Sequence, residues 1–121
     1  MTRTILTVDD SRTMRDMLRM ALAGAGFNVV EAVDGEHGLE VLSAHRPDVI
    51  ITDINMPKLD GFCFIEAVRV DDDYRAIPIL VLTTESDPTK KQRAREAGAT
   101  GWIVKPFNPE KLVEAIRRVA A

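Results

Sequence analysis

Residues 49–61 read VIITDINMPKLDG, a run of β-branched and apolar residues that ends abruptly in an aspartate and then a proline-containing loop. ILTV at Ile5–Val8 and ILVL at Ile79–Leu82, apolar almost throughout, look like strands buried on both faces, and Val49, Ile50, Ile51 and Thr52 likewise suit a pleated strand. Asp53 falls on the first position past that strand. Seven residues on, Asp60 stands where it can cap a helix that turns Ile65 and Val68 inward. The stretch therefore predicts strand, loop and helix in succession, which is the repeating unit of a parallel sheet.

The same unit recurs on either side. Strands are predicted at Thr4–Val8, Asn28–Ala32, Val49–Thr52, Ile79–Thr83 and Gly101–Val104, five in all, with helical segments between them. Met14, Met17, Leu18, Ala21 and Leu22 line one face of the first helix, and Gly24 and Gly26 allow a left-handed exit. Asp34 can cap a second helix, carrying Leu39 and Leu42, that stops before Pro47. Asp87-Pro88 and Asn108-Pro109 each place a cap residue before a proline suited to the first helical turn, and Phe107 and Leu112 have the spacing of a hydrophobic staple. The fold class is α/β, a doubly wound parallel sheet.

Length and composition agree. The chain has 121 residues, 45% hydrophobic and 29% charged, which suits one ordinary domain spanning 1–121. No linker, repeat or low-complexity segment interrupts it. A net charge of -3 argues against a nucleic-acid partner. No apolar run is long enough to span a bilayer, and MTRTILTVDD lacks the pattern of an export signal, so a cytoplasmic address is expected. The chain is separately expected to be a monomer. Cys63 is the only cysteine, which excludes an internal disulfide and a cysteine zinc site; it reads as a small buried filler on a helix.

Function in such sheets collects at the carboxyl ends of the strands. Strand one ends in Asp9-Asp10, strand three in Asp53, strand four in Thr83 and strand five in Lys105. These residues share one edge if strands one and three are neighbours, which selects the order 2-1-3-4-5. Three clustered carboxylates repel one another unless a cation enters, and Mg²⁺ prefers a few carboxylate or carbonyl oxygens plus waters and phosphates. Asp9, Asp10, Asp53 and the Asn55 carbonyl are the candidate ligands. A free oxygen of Asp53 is the candidate nucleophile for phosphorus, with Lys105 and the Thr83 hydroxyl holding phosphoryl oxygens. Taken singly, Asp9 or Asp10 would read as a helix cap, Lys105 as a solvated charge and Thr83 as a strand residue; their joint placement favours a site.

VDDS at Val8 to Ser11, TDINMPKLDG at Thr52 to Gly61, LTTES at Leu82 to Ser86 and AGATGWIVKPF at Ala97 to Phe107 resemble the receiver domains of bacterial response regulators. The resemblance runs from Ile5 to about Val119. It implies the flavodoxin-like fold with five helices, so the 2-1-3-4-5 order is also a family property and not an independent inference. It implies phosphorylation of Asp53 from a kinase phosphohistidine, Mg²⁺ at Asp9, Asp10 and Asn55, and Thr83 and Lys105 as sensors of the phosphate. A cis bond between Lys105 and Pro106 is common in the family. Among stand-alone receivers of the CheY type, Asn55 and Glu85 match the residues that flank the attacking water and tune dephosphorylation. The implied partners are a CheA-like kinase, the flagellar switch protein FliM and a phosphatase.

Two positions depart from the pattern. Trp102 stands where a Tyr or Phe switch ring is usual; indole is larger and can only donate a hydrogen bond, so its inward pose is left open. Thr84 replaces a small residue and narrows access to Asp53. His37 and His45 read as solvated helix-face residues, and Asp71-Asp72-Asp73 as a solvated turn far from the acidic edge. A phosphate sink without direct output shares all of this chemistry. An aspartyl-phosphate hydrolase of the haloacid dehalogenase type would need an acid at position 55, where this chain has Asn55.

Overall fold

The computed structural model describes residues 2–120. The elements run β1 (Thr4–Val8), α1 (Arg12–Gly24), β2 (Asn28–Ala32), α2 (Gly35–His45), β3 (Val49–Thr52), α3 (Gly61–Val70), β4 (Ile79–Thr83), α4 (Pro88–Ala97), β5 (Gly101–Val104) and α5 (Pro109–Ala120). All five strands stand where the apolar runs place them. They form one parallel sheet in the order β2-β1-β3-β4-β5.

Every residue of β3 and β4 is buried, as unalternating apolar strands require. On one face, Leu6, Val8, Ile50 and Val81 pack with Phe64, Ile65 and Val68 of α3, Leu42 of α2 and Ala94 of α4. On the other, Ile5, Ile51, Leu80 and Leu82 pack with Leu18 and Leu22 of α1 and Leu112 and Ile116 of α5. The winding reversal lies between β1 and β3, so the crevice opens beside Asp9, Asp10 and Asp53.

Local signals set the helix ends. Asp34, Asp60 and Asp87 accept from the backbone N–H of His37 (2.8 Å), Cys63 (2.9 Å) and Thr89 (2.8 Å), and Asn108 accepts from Lys111 (3.0 Å). The first helix is capped by Ser11, which accepts from Met14 N–H at 3.2 Å, and neither Asp9 nor Asp10 serves as its cap. Its left-handed exit is at Gly26 (φ 93°), whereas Gly24 is simply the last helical residue. The Lys105–Pro106 bond is cis.

Two single-residue expectations are corrected. Cys63 is exposed, because α3 turns Phe62, Phe64, Ile65 and Val68 to the core and leaves position 63 outside. His37 is not merely solvated: its Nδ1 accepts from Val33 N–H at 3.0 Å, closing the turn into α2 from the helix side. His45 is exposed, and Asp71, Asp72 and Asp73 form an exposed turn in which Asp73 N–H donates to Asp71.

Candidate phosphoacceptor site

Three site residues are the first positions past their strands, and the sheet still holds their backbone. Asp9 N–H donates to Ala32 O (3.1 Å), Asp53 N–H to Val8 O (3.0 Å) and Lys105 N–H to Thr83 O (2.8 Å). Each side chain thus projects from a main chain fixed by the neighbouring strand. The β3–α3 loop folds back over Asp53: Gly61 N–H donates to Ile54 O at 2.8 Å. A Cβ at Gly61 would strike the Asp53 carbonyl and stand 2.7 Å from Ile54 Cα, so this return requires glycine.

The three carboxylates do converge. Asp9, Asp10 and Asp53 each offer an oxygen within 4.8 Å of the others. Lys105 Nζ bridges two of them, 2.9 Å from Asp9 Oδ2 and 3.0 Å from Asp53 Oδ2, across 96 and 52 residues of sequence. The remaining oxygens of these two carboxylates take backbone donors: Asp9 Oδ1 accepts from Ser11 N–H at 2.9 Å, and Asp53 Oδ1 from Ile54 N–H at 2.6 Å. Asp53 is 9% exposed and Asp9 2%, so only the crevice side of the cluster meets solvent, where Asp10 is exposed.

Burial pushes the Asp9 carboxyl above its ordinary range, and the nearby Asp53 charge adds to this; the Ser11 N–H and Lys105 oppose it without cancelling it. Burial alone would lower Lys105, yet its bonds to Asp9 and Asp53 more than offset that, and the ammonium is held more firmly charged than usual. The donor set is hard oxygen, anionic, close-set and open on one side. It fits a Mg²⁺ ion that keeps some of its waters.

Thr83 is fully buried at the end of β4, and its hydroxyl accepts from Glu85 N–H at 3.3 Å. Trp102 is half-buried, and its indole N–H donates to the Glu85 carbonyl at 3.2 Å. The larger ring is therefore accommodated with its donor satisfied on the β4–α4 loop. Glu85 completes a junction, since its carboxylate accepts from Lys90 Nζ at 2.9 Å. Asn55 and Thr84 are exposed, Asn55 two residues beyond Asp53.

Sequence reasoning missed three participants. Arg15 donates to the Asp9 carbonyl (2.7 Å) and lies 3.4 Å from Glu31, bracing the β1–α1 turn. Arg69 reaches the carbonyls of Gly98, Arg75 and Ile77, tying α3 to the end of α4. Lys90 was unmarked because nothing in a basic helix singles out one lysine as Glu85's partner.

The comparisons with known proteins point the same way. Residues 5–117 match the response regulator receiver domain family. "Probable transcriptional regulator ycf27" of Guillardia theta is 41% identical over 115 residues, covering 95% of this chain but 44% of the relative, so the chain spans under half of that protein's length. The solved structure of chemotaxis protein CheY4 from Vibrio cholerae superposes with a TM-score of 0.93 at 48% identity, covering 98% of this chain and 99% of that one. The receiver domain of sensor histidine kinase PA1611 from Pseudomonas aeruginosa, with a magnesium ion coordinated in its active-site cleft, gives a TM-score of 0.91 at 25% identity, covering 99% and 98%. With the fold, the acidic crevice and the family match in agreement, the chain belongs to the response regulator receiver domains.

Proposed function

We propose that Asp53 accepts a phosphoryl group from a CheA-like histidine kinase, with Mg²⁺ held by Asp9, Asp10, Asp53 and the Asn55 carbonyl. The observation that carries this is Lys105 Nζ seated against both Asp9 and Asp53 beside the acidic trio. The magnesium ion in the related PA1611 receiver supports the cofactor. When bound, the ion supplies positive charge that offsets the carboxylates and the incoming phosphate.

The chain's own residues supply the rest. A carboxylate oxygen of Asp53 bonds to phosphorus as the bond from phosphorus to the kinase histidine nitrogen breaks, the nitrogen keeping the electron pair. Ile54 N–H holds the other Asp53 oxygen and so orients the nucleophile. Lys105 and the Thr83 hydroxyl then bind phosphoryl oxygens. Self-dephosphorylation, with Asn55 and Glu85 beside the attacking water, returns the carboxylate, so the chain catalyses only its own modification.

Residues 1–121 act on this reading as one cytoplasmic, monomeric receiver. Movement of Thr83 toward the phosphate alters the Glu85 and Trp102 junction, and with it the surface of α4, β5 and α5, where a FliM-like switch protein binds. The likeness to CheY4 supports the chemotaxis role. Trp102 is the only tryptophan and therefore a reporter. Its fluorescence should change when acetyl phosphate follows Mg²⁺, and Asp53→Asn should abolish the change together with acyl-phosphate formation. A wild-type protein that gains no phosphate under these conditions would sink the reading.

A further inference from the structure

Lys90 occupies the third position of α4, counted from its Asp87 cap. That place most often suits an acid: the helix dipole disfavours a cation there, and a capping box would supply Glu or Gln. The first turn of α4 carries no acidic residue at all. What offsets the misplaced charge is Glu85, whose carboxylate lies 2.9 Å from Lys90 Nζ. The backbone of Glu85 is meanwhile tied to Thr83 through its N–H and to Trp102 through its carbonyl. Glu85 is thus held by three elements, and its carboxylate is directed to α4 while the acidic cluster comprises Asp9, Asp10 and Asp53 alone among the described residues.

We infer that Lys90 is a positioning residue for the loss of phosphate, retaining the Glu85 carboxylate on α4 and so lengthening the life of phosphorylated Asp53. This rests on the phosphoacceptor reading above. In the hydrolysis, a water oxygen bonds to phosphorus as the bond from phosphorus to the Asp53 oxygen breaks. The Asp53 carboxylate leaves with the electron pair, and the water's surplus proton passes to solvent. A Glu85 carboxylate released from Lys90 is free to accept a hydrogen bond from that water, which speeds the attack.

The test follows decay of the acyl phosphate at fixed Mg²⁺ in purified protein pre-loaded from acetyl phosphate, with a thermal melt of each variant as a check on folding. Lys90→Met should shorten the lifetime about two- to fivefold, the span an exposed ion pair carries. Lys90→Arg should restore it. In a Glu85→Gln background, Lys90→Met should change nothing. Added salt should shorten the wild-type lifetime toward that of Lys90→Met while leaving the variant alone, a response that a purely structural role would not give. A lifetime indifferent to Lys90, or an equal effect with Glu85→Gln, overturns this inference alone. Failure of the wild type to acquire phosphate overturns the phosphoacceptor reading and this inference with it.

Discussion

β4 and β5 are hydrogen-bonded neighbours, with Thr83 paired to Val104, yet they are built differently. All five residues of β4 are buried, whereas β5 is half-buried and Val104 is 43% exposed. Their flanking helices repeat the contrast. α3 buries Phe62, Phe64, Ile65 and Val68; α4 buries Ala94 alone. Polar and cationic ties hold α4 instead: Lys90 to Glu85, Arg69 to Gly98 O, and Arg93 stacked 4.1 Å over Phe62. Burial of a large apolar side chain contributes about 1.5–3 kcal/mol, an exposed ion pair under about 1 kcal/mol. The crevice carboxylates are carried by the deeply buried strands β1 and β3, while Lys105 follows the half-buried β5. The α4–β5 edge has few buried apolar side chains, the physical condition for movement at a small free-energy cost that the proposed output surface would require.

The largest effect that could break this contrast is a core truncation. Phe64→Ala, at a fully buried position, should cost about 3–5 kcal/mol in urea unfolding, and Val104→Ala well under about 1 kcal/mol. Equal losses would show that β5 is as firmly held as its neighbour. Next in size, Trp102→Phe removes the donor to Glu85 O and should cost about 0.5–1.5 kcal/mol, with hydrogen exchange accelerating at the β4–α4 loop and not at β1 or β3.

A smaller effect sharpens the other side of the comparison. Folded Asp9 holds its proton more tightly than the unfolded chain, whose ordinary value is 3.8. The penalty for its buried charge is thus in force above the raised folded value, and it disappears as pH falls to below 3.8. Asp9→Asn should raise the thermal midpoint in EDTA at pH 7 and flatten its pH dependence across that window, while weakening Mg²⁺ binding. A lowered midpoint would mean that the bond to Lys105 outweighs the burial.

Much of this molecule was legible before any coordinates. Strand positions followed from short β-rich apolar runs, and four helix starts from Asp or Asn at the cap. The site residues were legible because each stands at or just after a strand end, and parallel strands bring their carboxyl ends to one edge. Cys63 was misjudged because burial habit is an average, and the face that α3 turns inward is set by its neighbours Phe62, Phe64 and Ile65. His37 was misjudged because an imidazole acceptor for Val33 N–H depends on the angle at which the chain enters α2.

By itself, then, the order of amino acids settled which segments are strands and helices, because those follow from periodicity and capping within a few neighbours. It also set the candidate site residues at strand ends, with the strand order that gathers them implied by the family resemblance. Only the tertiary structure decided that Lys105 spans Asp9 and Asp53, that the Trp102 indole finds the Glu85 carbonyl, and that Lys90 rather than Lys91 takes the Glu85 carboxylate. Such pairings depend on distances between packed elements, to within a fraction of an ångström in hydrogen-bond reach, and no local pattern encodes them.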